Sequence, residues 1–142
     1  MKTAIGNDHA GVDLKNCVKE LDGYSFVDCG TDDGNSVDYP DIAEKVCGKV
    51  VSGECEAGIL ICGTGTGMAI SANKIRGIRA AMCHNEMMAE LARRHNNANV
   101  LCLGARVLGE ELALRIARIF LQTEFEGGRH GRRVDKIISL EG

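Results

Sequence analysis

The chain has no tryptophan and only three phenylalanines and two tyrosines, so aromatics make up 4% of 142 residues. That argues against a surface that stacks unpaired bases on aromatic rings. Nor is there an excess of positive charge: the formal net charge is −3, which argues against a protein that coats nucleic acid. No apolar run approaches the roughly twenty residues that a membrane helix requires. The opening Met1-Lys2-Thr3-Ala4-Ile5 is cut short by Gly6 and Asn7, so it does not read as a secretory signal. A cytoplasmic protein with no membrane partner is the expectation. Proline occurs once, at Pro40, and neither a linker nor a repeat is visible, so residues 1–142 are expected to form a single domain.

Cysteine is plentiful, with seven at positions 17, 29, 47, 55, 62, 83 and 102, but no pair has CxxC spacing. That disfavours a zinc knuckle or a dithiol redox site. Several lie inside apolar runs such as Val100-Leu101-Cys102-Leu103, where a reduced thiol serves as a small core residue.

Short apolar segments alternate with longer amphipathic ones, the pattern of βαβ units. Strands are expected near 2–6, 24–29, 57–62, 78–83 and 99–103. Helices are expected over Val12–Leu21, from Asp38-Tyr39-Pro40 to Val51, and over Thr66–Lys74, Asn85–Arg94, Gly109–Leu121 and Arg132–Leu140. Ala57-Gly58-Ile59-Leu60-Ile61-Cys62 is apolar almost throughout, as a parallel strand covered on both faces must be. The expected fold is a three-layer α/β/α sandwich, Rossmann-like, with a five-stranded parallel sheet. Ligands in such folds bind beyond the carboxyl ends of the strands. Asn7-Asp8-His9, Cys62 to Gly67, His84-Asn85 and Gly104-Ala105-Arg106 all lie at strand exits.

Gly63-Thr64-Gly65-Thr66-Gly67 joins a buried strand to a helix. Its glycines let main-chain N–H groups approach an anion, either a phosphate or an oxyanion formed during reaction. The spacing is neither GxGxxG nor that of a Walker loop, which weakens a nucleotide-binding reading. The plainer alternative is a tight turn that needs glycine only for its shape. Cys62 precedes this loop, where the helix field favours thiolate, the form that acts as nucleophile or base. The plainer alternative here is an inert thiol ending an apolar strand.

Asp8 and His9 could grip hydroxyls and phosphate, or Asn7 or Asp8 could merely cap the next helix. His95 ends a helix, a place that favours its cation and suits a general acid, although a simple dipole contact is the commoner role. Asn96 would then be a left-handed cap. Gly127-Gly128-Arg129-His130-Gly131-Arg132-Arg133 is the densest basic stretch and could hold a phosphate or form a solvated turn. Arg106 could add a phosphate contact or form an ordinary surface ion pair. His84 beside Cys83 lacks further ligands at metal-binding spacing and is read as structural.

Asn7-Asp8-His9-Ala10-Gly11, Asp38-Tyr39-Pro40, Gly58 through Gly65, Ala72-Asn73-Lys74, Gly77-Ile78-Arg79-Ala80, Arg94-His95-Asn96, Asn99-Val100-Leu101 and Gly127-Gly128-Arg129-His130 occur in this order. Together, across almost the whole chain, they resemble the type B ribose-5-phosphate isomerases of the ribose/galactose isomerase family. The resemblance implies interconversion of D-ribose 5-phosphate and D-ribulose 5-phosphate through a cis-enediolate, with no metal or redox cofactor. It implies that Cys62 is the base, that the backbone of Gly63, Gly65, Thr66 and Gly67 stabilises the enediolate with Thr64 close by, and that His95 is the acid that opens the furanose ring. It implies sugar contacts from Asp8, Tyr39 and Asn96, and phosphate contacts from His9, Arg106, Arg129 and Arg133. It also implies a homodimer or dimer of dimers whose active sites are shared between chains. A second branch of the family carries a glutamate just after the glycine loop; here that position is Met68, which cannot accept a proton. The alternatives are a galactose-6-phosphate or allose-6-phosphate isomerase of the same family and, more remotely, a non-catalytic nucleotide-binding domain or a thiol redox protein.

Overall fold

The computed structural model describes residues 1–142. Five strands form one parallel sheet: β1 (Lys2–Asn7), β2 (Ser25–Asp28), β3 (Ala57–Cys62), β4 (Ala80–Met82) and β5 (Val100–Gly104), in the order β2-β1-β3-β5-β4. The helices are α1 (Val12–Val18), α2 (Tyr39–Val51), α3 (Thr66–Ala72), α4 (Glu86–Asn96), α5 (Glu110–Gln122) and α6 (Arg129–Ser139). No helix is long and apolar enough to cross a membrane.

Alternation along β3 splits the core into two layers. Ile59 and Ile61 pack with Leu14 and Val18 of α1, Ala89 and Ala92 of α4, and Ile116 and Phe120 of α5. Leu60 and Cys62 point the other way, toward Ile42 and Val46 of α2 and Met68 and Ala72 of α3. A near-continuous apolar strand is what burial on both faces requires, and all six residues of β3 are buried. The α/β/α sandwich expected from the sequence is the fold observed, and β3 lies at its centre.

Element ends differ from the sequence reading in instructive places. β4 is only three residues long, and Arg79 leads into it with its carbonyl accepting from the Asn99 N–H at 2.9 Å and with side-chain bonds on its own N–H and around Ala80. The Arg79 N–H donates to Asn99 Oδ1 at 2.8 Å, and Asn73 brackets Ala80 with one bond to its N–H and one to its carbonyl. α6 begins at Arg129, three residues before Arg132, since Gly127 and Gly128 both adopt positive φ and complete the turn there. The left-handed residue that closes α4 is Asn97 (φ 46°), while Asn96 stays helical.

Lys15 of α1 is wholly enclosed. Its ammonium lies 3.1 Å from Asp28 Oδ2 and 2.7 Å from Asp32 Oδ1, and it donates to the Thr31 carbonyl at 2.7 Å. Asn7 Nδ2 donates to the same carbonyl at 3.0 Å. Burial opposes charge on Asp28, but bonds from Lys19, the Gly30 N–H and Lys15 outweigh it and hold the carboxyl below the ordinary range. The segment after β2 is thus pinned at its root as it runs toward Tyr39.

Candidate active site

β3 ends at Cys62, a residue only 5% exposed. The chain then turns through Gly63–Gly65 into α3, with Gly65 left-handed at φ 87°. This brings the Gly65 N–H to 3.2 Å from Cys62 Sγ, as donor to the sulfur. The Thr66 N–H donates to Thr64 Oγ1 at 3.3 Å. The amides of Gly63, Thr64, Gly67 and Met68 find no acceptor within the protein. The loop therefore presents one sulfur and four free main-chain donors, the components needed to move a proton beside a developing negative charge.

Neighbouring strand exits close around the loop. The Ala105 N–H donates to the Cys62 carbonyl at 2.8 Å and the Arg106 N–H to the Gly63 carbonyl at 2.9 Å, which ties the β5 exit to the β3 exit. The Arg106 side chain passes beside Gly63, and the Tyr39 ring covers Gly67 so closely that a β-carbon there would lie 2.5 Å from it. On the other flank the Asp8 N–H donates to the Ile61 carbonyl at 3.0 Å. Asp8 Oδ1 accepts from the Ala10 N–H at 2.9 Å, so this carboxylate caps a short 3₁₀ turn, His9–Gly11, at the exit of β1. His9 Nδ1 accepts from the Val37 N–H at 3.5 Å. Asp8, His9, Tyr39, Cys62, Gly63–Gly67 and Arg106 thus share one end of the sheet. His84, read from sequence as structural, joins them: its Nε2 lies 3.4 Å from the Thr64 carbonyl oxygen. Nothing in the sequence pairs positions 84 and 64; the β5–β4 ladder does.

His95, Asn96, Arg129 and Arg133 are elsewhere. α4 runs antiparallel to the strands and ends where β5 begins, whereas Cys62 is in register with Gly104 at the end of β5. The length of β5 alone separates the two groups by ~13 Å within one chain. At this second end the His95 and His130 rings stack with centroids 4.1 Å apart and planes 9° apart. Glu126 places carboxylate oxygens 4.0 Å from His95 Nε2, 3.7 Å from His130 Nε2 and 3.1 Å from an Arg94 nitrogen. His130 is buried and its Nε2 makes no hydrogen bond. Burial, and then the facing His95, hold the His130 imidazole below its ordinary pKa. His95, Glu126 and His130 are close enough to share a metal ion, their ligand atoms lying within 4.8 Å of one another. Arg94 already pairs with Glu126, and Arg129 and Arg133 add positive charge around His130, so the locality suits an anion better than a cation.

Of the remaining cysteines, Cys47, Cys55, Cys83 and Cys102 are core residues, while Cys17 and Cys29 are half-buried. Burial pushes the Cys47 thiol up to about 12 and Cys83 up to about 11, and all seven cysteines are free.

Residues 3–137 match the ribose/galactose isomerase family. The chain is 53% identical to a putative sugar phosphate isomerase of Bacillus subtilis, covering 99% of this chain and 97% of that protein. It is 46% identical to ribose-5-phosphate isomerase B of Escherichia coli, over 99% of this chain and 96% of that one. Among solved structures, ribose-5-phosphate isomerase B of Clostridium thermocellum superposes with a TM-score of 0.97 at 52% identity, covering 99% of this chain and 97% of that chain.

Proposed function

The chain belongs to the ribose/galactose isomerase family, a family of sugar-phosphate isomerases, and we propose that this member interconverts D-ribose 5-phosphate and D-ribulose 5-phosphate with Cys62 as the base. The observation that carries this reading is the Cys62 sulfur, held by the Gly65 N–H beside the free amides of Gly63, Thr64, Gly67 and Met68.

In the proposed reaction His95 gives a proton to the ring oxygen as the C1–O4 bond breaks, and the C1 hydroxyl becomes an aldehyde as it loses its own proton. The Cys62 thiolate then removes the proton from C2. The electron pair moves into C1–C2 and charge collects on O1, where the loop amides share it. The same thiol returns its proton to C1 while the O2 proton passes to O1, leaving the carbonyl at C2. Thr64 presents its hydroxyl beside these oxygens, and since that oxygen already accepts from Thr66, its proton is free to be donated outward. Asp8, Tyr39 and Asn96 orient the sugar, and His9, Arg106, Arg129 and Arg133 hold the phosphate remote from C1 and C2.

Because the His95 group lies across the sheet from Cys62 in one chain, the complete site requires a second copy, with His95, Asn96, Arg129 and Arg133 of one protomer facing Cys62 of the other. Exposed Met87, Met88, Ile70 and Val107 provide apolar surface for such a contact. Seven free thiols support residence in a reducing compartment, the cytoplasm.

The test is turnover of ribose 5-phosphate in chelator-treated buffer, compared by kcat/KM with allose 6-phosphate and galactose 6-phosphate, for the native chain and Cys62→Ala. Conversion of the pentose phosphate that disappears in Cys62→Ala supports the reading. Clear preference for a hexose phosphate overturns the substrate, and an active Cys62→Ala overturns the base.

A further inference from the structure

His84 follows β4 by two residues and is half-buried against the glycine loop. Its Nε2 stands 3.4 Å from the Thr64 carbonyl oxygen, and no other group in the protein donates to that oxygen. The Thr64 carbonyl and the Gly65 N–H are the two ends of a single peptide unit. A peptide unit is planar and trans, so its C=O and N–H point in opposite directions and turn together. The far end of this rigid plate, the Gly65 N–H, donates to Cys62 Sγ at 3.2 Å. An imidazole thus holds one end of a plate whose other end holds the sulfur.

We propose that His84 is a positioning residue for the reaction: with its proton on Nε2 it holds the Thr64 carbonyl and thereby keeps the Gly65 N–H aimed at Cys62. The inference rests on Cys62 as the base. It also explains why an external holder is needed. Gly65 is left-handed at φ 87°, and glycine populates positive and negative φ about equally, so its own backbone preference does not stop the plate from turning over. The underside gives limited help. Gly104 presses on the same carbonyl, since a β-carbon there would come within 2.6 Å of the Thr64 oxygen, but that contact fills space without supplying a donor. Cys62 is nearly enclosed and the Gly65 N–H is its one hydrogen-bond donor, so losing the plate's orientation leaves the sulfur without any. A donor on the carbonyl also polarises the N–H at the other end, since linked hydrogen bonds reinforce one another.

The test compares His84→Ala and His84→Gln with the native enzyme on ribose 5-phosphate; the Gln amide can donate to the same carbonyl. His84→Ala is expected to lower kcat by about ten- to a hundredfold, the scale of a misplaced reacting group, with KM changed by less than about twofold. The acid limb of its kcat/KM profile is expected to move to higher pH, and His84→Gln is expected to recover most of both effects. A native kcat and pH profile in His84→Ala overturns the proposal, as does a rise in KM with kcat intact, or a Gln variant no better than Ala. Cys62→Ala, assayed in parallel, separates the two levels. If it is inactive while His84→Ala is native, only the role of His84 falls; if it is active, the base assignment falls and takes the inference with it.

Discussion

At the carboxyl end of the sheet the groups nearest the sulfur are main-chain amides, four of them free between Gly63 and Met68, flanked by the side chains of Asp8, His9, Tyr39 and His84 and the single guanidinium of Arg106. At the amino end they are side chains: two stacked imidazoles, the Glu126 carboxylate, and the arginines at 94, 129 and 133. Main-chain donors are fixed in place and suit charge that appears only during reaction. Mobile cations suit the permanent charge of a phosphate, and imidazoles suit proton exchange with a leaving oxygen. Neither end has the full set, and the two are complementary.

The sharpest way to break this comparison is to remove the sulfur. Cys62→Ala is expected to lower kcat on ribose 5-phosphate by about a thousandfold, within the usual span for a lost general base. Cys47→Ala and Cys83→Ala, lying in the core, should fold less stably but keep native kcat. Next comes a mixing experiment. Cys62→Ala and His95→Asn chains, each nearly inactive on the furanose form, are expected to regain about a quarter of native activity once subunits exchange, because a symmetric hybrid rebuilds one complete site. No recovery after mixing, with exchange confirmed by native mass spectrometry, would show that the two ends do not meet. Third, Arg129→Ala and Arg133→Ala are each expected to raise KM by about tenfold or more through loss of a charge-assisted bond, whereas Arg132→Ala leaves KM unchanged.

The smallest effect concerns His130. NMR titration should place its midpoint below that of a free imidazole, and His95→Asn should raise it by removing the facing imidazole. The folded state resists protonating His130, so as the pH falls below about 6.5 the unfolded chain binds the proton first. Stability therefore declines with acid over that interval, and His130→Asn should flatten the decline.

Much of the carboxyl end was legible from residue order. An apolar run ending in Cys62, followed by a glycine loop, can only be a buried strand meeting a helix, and the strand-exit rule gathered Asp8, His9 and Arg106 beside it. The distance to His95 was not legible, because it depends on α4 running back along the sheet, a matter of topology. His84 was undervalued because its partner is a backbone oxygen twenty residues away, and a carbonyl leaves no signature in a sequence. Lys15 was hidden for a related reason. It sits in the helical stripe of Val12, Leu14, Cys17, Val18 and Leu21 as if solvated, and only the packing of α1 over the end of β2 encloses it with Asp28 and Asp32.

That enclosed ammonium constrains how such a protein can drift. Exchanging Asp28 alone leaves the enclosed ammonium with one exposed carboxylate partner, Asp32, a loss of up to about 3–5 kcal/mol, the scale for a broken buried pair, while exchanging the exposed Asp32 costs less. Exchanging all of them for apolar or amide side chains of like volume strands nothing. Drift is thus constrained most at Lys15 and Asp28 and least at the exposed Asp32, and the path of the chain from β2 toward Tyr39 is inherited with that pair.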